Sequence, residues 1–363
     1  MKKSSNFMTK TMIIFTLMVI TICCKTLVVD NKSSVSGKIL STDMVPLSNV
    51  NVKRGEKVIA KSDKKGNLKI NRTNFKDGDV LTFEKDNFVS LYKVIKANST
   101  LDVLMKKRND IVEIETEKGG FIKFGNGGSL NIPKNAFTIR GKLYKGNINV
   151  QATYIDVTNS EEVMSAPGAY IAENKDGNLY PLTSFGIIEI NVSDSKNNIP
   201  LDLKKGTGLK ISYPITTKNT PDIVNLYELN EETGYWSERS FLRNNGSTLQ
   251  GVVTSVNSAW NADDPCSDVL VCVKIKVVFT NGNPGCGIGA KGISYQGYDG
   301  LYSPDINGYV QFMVCPDSVF ELGACHPVCL TCPGPVYQKT IDLSTVTMNP
   351  SGCTDLGTWV IQN

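Results

Sequence analysis

The sequence predicts an all-β protein of tandem antiparallel β-sandwich domains, with the C-terminal one disulfide-rich. Three observations carry that prediction. Hydrophobic residues alternate with a period of two, Asn-Gly and Asp-Gly dipeptides recur between the alternating runs, and no amphipathic stretch of three helical turns follows residue 24. The chain has 363 residues, 40% hydrophobic and 20% charged, which excludes wholesale disorder and a polytopic membrane protein.

Taken in order, residues 1–24 read as a signal peptide. Lys2, Lys3 and Lys10 precede an apolar stretch from Met12 to Cys24, too short at 13 residues for the roughly 20 that span a bilayer. Cys23 and Cys24 end that stretch, where a bacterial lipoprotein carries its lipidated cysteine, so both are lipidation candidates, with plain secretion as the alternative. Either route exports the chain, to the cell surface or outer envelope or into the medium, and touches a membrane only through the signal segment or a lipid.

Residues 33–108 form the first predicted sandwich. Residues 31–110 hold 17 basic against 9 acidic side chains, residues 111–260 hold 14 against 16, and residues 261–363 hold 4 against 9. A basic first domain favours an acidic surface, but dispersed lysines also guard strand edges and solubility. No arginine-rich or aromatic-interleaved motif points to nucleic acid.

The segment 35–70, "VSGKILSTDMVPLSNVNVKRGEKVIAKSDKKGNLKI", is echoed near the other end by "VKIKVVFTNGNPGCGIGAKGISYQGYDGLYSPDINGYVQF". Each copy has an alternating strand, a proline turn (Pro46, Pro284), a second strand, and an Asp-x-x-Gly turn (Asp63–Gly66, Asp305–Gly308) leading into another strand. This pattern resembles the carboxypeptidase regulatory-like (transthyretin-like) domain family, over about 35–107 and more loosely 266–363. The resemblance implies a seven- or eight-stranded sandwich with a folding or adhesion role and no peptidase activity of its own.

Residues 110–258 differ. "GGFIKFGNGGSLNIPKNAFTIRGKLYKGNINVQATYI", with Gly119, Gly120, Ile132 to Phe137, Gly146 and Tyr154, is similar to a ZU5-type β-domain. With "GAYIAENKDGNLYPLTSFGIIEINV", "VNLYELNEETGYWSERS" and "WNADDPC", the likeness extends to the middle region of the cartilage intermediate layer protein family. Some ZU5 domains cleave themselves at His-Phe-Ser. Here Ser184 precedes Phe185 and no histidine is near, so self-cleavage is not expected. Alternation places Ile148, Val150, Ala152 and Tyr154 on one face, Ile188, Ile190 and Val192 on another, and Val271, Val273, Ile275 and Val277 on a third.

The last predicted domain, 264–363, holds eight of the ten cysteines: Cys266, Cys272, Cys286, Cys315, Cys325, Cys329, Cys332 and Cys353. An even number behind a signal peptide reads as disulfides, and the sequence does not choose their pairing. Cys325, His326, Cys329 and Cys332 have zinc-ligand chemistry, but zinc modules pair two such knuckles and only one is present.

A catalytic centre finds little to work with. The single histidine, His326, excludes multi-histidine zinc sites, and Ser-His-Asp or Cys-His chemistry would have to run through it. Gly287 to Gly292 is a literal GxGxxG but precedes strand and turn sequence, where a dinucleotide site needs a helix. "FGNGGS" at 124–129 lacks the Lys-Ser/Thr of a phosphate loop and reads as a hairpin. Asp263, Asp264 and Asp268 offer calcium ligands in a linker, with a solvated acidic loop as the plainer reading. Tyr235 and Trp236, and less directly Trp260, are candidates for stacking on sugar rings, with core or domain-junction residues as the plainer reading. No catalytic residue, metal or cofactor is predicted. The expectation is a non-enzymatic adhesion or scaffold module facing an extracellular protein or glycan, with a carbohydrate-binding module as the alternative.

Overall fold

The computed structural model describes residues 34–95, 101–215, 220–265, 271–280, 282, 288–292, 298–302, 307–314, 319–324, 337–349 and 351–362. Seven strands come first: β1 (Ser34–Ser41), β2 (Asn51–Arg54), β3 (Lys57–Lys61), β4 (Asn67–Asn71), β5 (Val80–Glu84), β6 (Leu91–Val94) and β7 (Val103–Met105). They form two sheets, β4-β1-β7 and β3-β2-β5-β6. Between them Ile39, Val52, Leu68, Ile70, Leu81, Phe83 and Leu101 are buried together. Each such side chain contributes roughly 2 kcal/mol by leaving water. The Asp-x-x-Gly turn forms as read. Gly66 adopts φ 75°, and Asp63 accepts the backbone N–H groups of Lys65 and Asn67 at 2.8 and 2.9 Å.

Fourteen strands occupy the centre, beginning with β8 (Val112–Glu115), β9 (Gly120–Phe124), β10 (Gly128–Ile132), β11 (Phe137–Ile139), β12 (Lys142–Leu143), β13 (Asn147–Ile155) and β14 (Ile171–Glu173). Then follow β15 (Leu179–Asp194), β16 (Asp202–Leu203), β17 (Leu209–Pro214), β18 (Ile223–Asn230), β19 (Tyr235–Asn244), β20 (Thr248–Val253) and β21 (Ser258–Pro265). One sheet runs β8-β13-β15-β21-β18-β19-β20-β17-β10-β9, with β14 beside β15 and β19, and a small sheet β12-β11-β16 lies apart. Its two ends, β8 and β9, are consecutive in sequence, so the sheet rolls round a shared core of Ile122, Leu130, Ile148, Ile188, Ile211, Leu242 and Trp260. The predicted faces hold: Ile148, Val150, Ala152 and Tyr154 are all buried, as are Ile188, Ile190 and Val192. "FGNGGS" makes the β9–β10 hairpin, with Gly125 at φ 49° and Gly127 at φ 100°.

The last seven strands are β22 (Val271–Phe279), β23 (Ile288–Gly292), β24 (Tyr298–Tyr302), β25 (Tyr309–Val314), β26 (Val319–Ala324), β27 (Tyr337–Asp342) and β28 (Thr354–Ile361). Their sheets, β25-β22-β28 and β24-β23-β26-β27, repeat the topology of the first seven strand for strand. β1 is antiparallel to β4 and parallel to β7, and β22 is antiparallel to β25 and parallel to β28. Ile39 N–H donates to Gly66 O at 2.8 Å, and Val277 N–H donates to Gly308 O at 2.7 Å. Val273, Ile275 and Val277 are buried as the alternation requires, and a disulfide joins Cys272 to Cys353.

Candidate functional site

A group of hydrogen-bonded and ion-paired side chains lies where the first seven strands meet the central sheet. Arg108, just beyond β7, gives two N–H groups to Glu189 of β15, both at 2.7 Å. Beside it Lys106 reaches Glu162 at 2.6 Å. Glu162 is fixed because Asn159 caps the helical turn Ser160–Val163, accepting the N–H groups of Glu161 and Glu162. The loop that follows is stitched to both sides. Tyr92 N–H donates to Pro167 O at 2.6 Å, and Ala169 N–H donates to Gly234 O at 3.1 Å. Gly168 is required there, because a Cβ would lie 2.9 Å from Gly234 O.

Trp236 is the keystone. It is fully buried, its indole N–H donates to Ala169 O at 2.6 Å, and Tyr170, Ala172, Tyr227, Leu229 and Ala259 surround it. Tyr92 packs against this cluster from β6. A cavity of about 110 Å³, room for a few waters, is lined by Tyr92, Arg108, Glu189, Asn191 and Glu231 among others. Burial holds the Glu231 carboxyl above its ordinary pKa, against the lowering effect of its hydrogen bond with Tyr92. Both oxygens of Glu189 accept from Arg108, so this carboxylate is engaged in joining two β units.

The structure favours the core or junction reading of Trp236 and corrects the loop reading of Asp263. Trp236 has no open ring face for a sugar, because the cluster covers it, and Tyr235 beside it is half-buried. Asp263 is neither a solvated loop residue nor an exposed ligand. It lies fully buried in β21, paired across to Ser184. Burial pushes its carboxyl well above the usual range, with the Asp264 charge adding to the shift; Asn261 donates to one oxygen. Ser184 is buried as well, donating to Asn261 Oδ1 at 2.6 Å, and is thus tied into this polar group.

Other readings land as follows. Trp260 is fully buried in the central core. Ile288–Gly292 of the GxGxxG motif is strand β23, and among the described residues no helix follows it to receive a phosphate. Among the described residues no group of three His, Cys, Asp or Glu side chains is placed to hold a metal. Cys23, Cys24, Cys266, Asp268, Cys286, Cys315, Cys325, His326, Cys329 and Cys332 lie outside the described residues. Sequence reasoning missed Arg108, Glu189, Tyr92 and Glu231. In "GIIEINV" Glu189 alternates with buried isoleucines and so reads as solvent-facing, and no local signal announces the arginine that covers it.

Comparison with known proteins gives relatives for part of the chain. No family model matches it. It is 24% identical over 227 residues to human cartilage intermediate layer protein 1, a match covering 58% of this chain and 19% of that protein. It is 28% identical over 122 residues to human cartilage intermediate layer protein 2, covering 33% of this chain and 11% of the relative. The chain thus spans about a fifth or less of the length of these relatives. Among solved structures, the Bacillus anthracis TIE protein superposes with a TM-score of 0.19 at 9% identity, covering 91% of this chain and 50% of that one. The major pilin subunit of Bacillus cereus gives 0.17 at 9% identity, covering 91% and 98%. Superpositions this loose equate no individual strands. Among the described residues no helix is long and apolar enough to cross a membrane.

Proposed function

We propose that the protein is a non-enzymatic, exported adhesion or scaffold module of the cell surface or extracellular space. The observation that carries this reading is the junction itself. Its arginine, carboxylates and tryptophan are all engaged in holding two β units together, which suits a rigid spacer better than a reaction centre. The partial likeness to cartilage intermediate layer proteins favours the same class. In this reading the ends (33–108 and 264–363) are carboxypeptidase regulatory-like sandwiches and 110–258 is a ZU5-like unit. Residues 1–24 direct export, and Cys23 or Cys24 carries lipid if the protein is anchored. The partner is an extracellular protein or a glycan.

Intact mass of the protein from its native cells, before and after reduction and alkylation, tests this. Loss of the first 22 or 23 residues with added lipid mass, or an unlipidated start downstream, supports export, and eight thiols released only by reduction support an oxidising compartment. An unprocessed N-terminus with free thiols, or turnover in a broad hydrolase screen abolished by one substitution, overturns it.

A further inference from the structure

The outer face of the central sheet is unusual for a solvated surface. Cross-strand partners share a face, so the register defines it. Phe121 of β9 lies opposite Asn131, Asn131 opposite Lys210, and Lys210 opposite Val252. In the adjacent row Lys123 lies opposite Ser129, Ser129 opposite Ser212, Ser212 opposite Gln250, Gln250 opposite Arg243, and Arg243 opposite Ile223. The inward neighbours Ile122, Leu130, Ile211, Leu249, Leu242 and Val224 all belong to the core, which fixes the direction of the alternation.

Phe121 is 56% exposed and Phe241 48% exposed on this face, where a purely solvated sheet would carry polar side chains. Three cations stand among them. Arg243 lies over the Phe241 ring at 5.0 Å, and Lys123, Lys210 and Arg243 have no ion-pair partner among the described residues. Neither row contains an Asp or Glu, although residues 111–260 as a whole hold 14 basic against 16 acidic side chains. Positive charge is therefore gathered on one face of a slightly acidic unit. Past the sheet edge Lys123 also lines a shallow groove of about 500 Å³, where Lys107 and Arg108 stand against Asp110.

We infer that this face binds an anionic polysaccharide, its sugar rings lying on Phe121 and Phe241 and its acid groups meeting Lys123, Lys210 and Arg243. The spacing selects this polyanion. The three cations sit two strands apart, about 10 Å from one to the next, which suits a chain bearing one acid group per disaccharide. A nucleic-acid strand carries a charge roughly every 3.4 Å and would leave most of its phosphates unpaired here. The amide of Gln250 and the hydroxyls between the cations supply the neutral hydrogen bonds that sugars require. This inference rests on the scaffold reading and names the ligand class that such a scaffold would hold.

Affinity electrophoresis of the mature protein through gels containing κ-carrageenan or hyaluronate, which carry one sulfate or one carboxylate per disaccharide, neutral dextran or poly(dT) tests it. Retardation by κ-carrageenan or hyaluronate, but not by dextran, is expected, and the stronger of the two distinguishes sulfate from carboxylate recognition. K210E/R243E should weaken binding about tenfold or more and flatten its salt dependence. F121S should weaken it with the salt dependence unchanged, and K64E/K65E on the first sandwich should change nothing. Binding indifferent to K210E/R243E, lost equally in K64E/K65E, or stronger to poly(dT) than to both acidic polysaccharides overturns the inference while leaving the scaffold reading standing. New reducing ends released from any polymer would overturn both.

Discussion

The two ends of the molecule share one seven-strand topology but close the same seam by different chemistry. Both seams run where the first strand meets the last strand in parallel, β1 with β7 and β22 with β28. In the C-terminal copy the seam is covalent, Cys272 to Cys353. In the first copy Ser34 stands where Cys272 stands, five residues before the strand position that bonds the turn glycine. There the closure is a close approach: a Cβ on Gly37 would lie 2.3 Å from the Leu101 carbonyl carbon, and Lys38 N–H donates to Asp102 Oδ1 at 2.6 Å. The first copy buries Leu101 and Phe83 in its core and is also braced by the Arg108–Glu189 junction. One topology thus tolerates a covalent seam or a packed one, and each leaves its own point of failure.

The disulfide is the larger lever. Its partners are 81 positions apart, and closing a loop of that length, taken alone, removes about 4.5 kcal/mol of unfolded-state entropy. C272S/C353S should lower protection of the amides in β22 and β28 by hydrogen exchange while those in β1 and β7 keep theirs. Equal loss at both ends would mean that the copies unfold as one unit and that the comparison between them is empty.

The packed seam breaks at Gly37. A methyl group there meets the Leu101 backbone, not the yielding tip of a side chain, so G37A should cost about 3 kcal/mol. The reciprocal pattern is expected, with β1 and β7 losing protection and β22 and β28 unchanged. Full stability of G37A would show that the segment around Leu101 moves freely and that the seam depends on other contacts.

Much of this architecture was legible because it is local. Period-two alternation assigned the inward side chains of β13, β15 and β22, and the Asp-x-x-Gly turns marked the repeat that the topology displays. The rolling of the central sheet was not legible. β15 pairs with β13, β14 and β21, and nothing within "LYPLTSFGIIEINVSD" names those distant partners. Asp263 was misread, and Trp236 was left between a core and a stacking role, for a related reason. "NADDP" is polar enough to look like a loop, and alternation in "GYWSE" leaves open which aromatic faces inward until the neighbouring strands are in place. The outer face of β9-β10-β17-β20-β19 was hidden by distance, since its cations are separated by 33 to 120 positions in sequence.

The smallest difference between the two ends is one of pH. Lys93 of β6 points its ammonium at the carbonyl oxygen of Asp102, 3.3 Å away, beside the seam of the first sandwich. Burial drives its pKa down to about 8, opposed by the Asp102 carboxylate. The unfolded chain keeps this lysine protonated up to about 10.4, so between pH 8 and that value the unfolded state binds more protons than the folded one. Stability of the first sandwich therefore rises with pH across that window, and below pH 8 this lysine contributes no pH dependence. Thermal unfolding followed by hydrogen exchange in β6 and β7 should show the wild type gaining on K93M between pH 8 and 10, with the C-terminal sandwich as internal reference. Every other titratable group is common to the two proteins, so its contribution cancels in that difference. A constant gap between wild type and K93M would mean that the ammonium is hydrated in the folded state. The first seam would then hold by the Gly37 approach and the Lys38–Asp102 hydrogen bond without an electrostatic cost beside it.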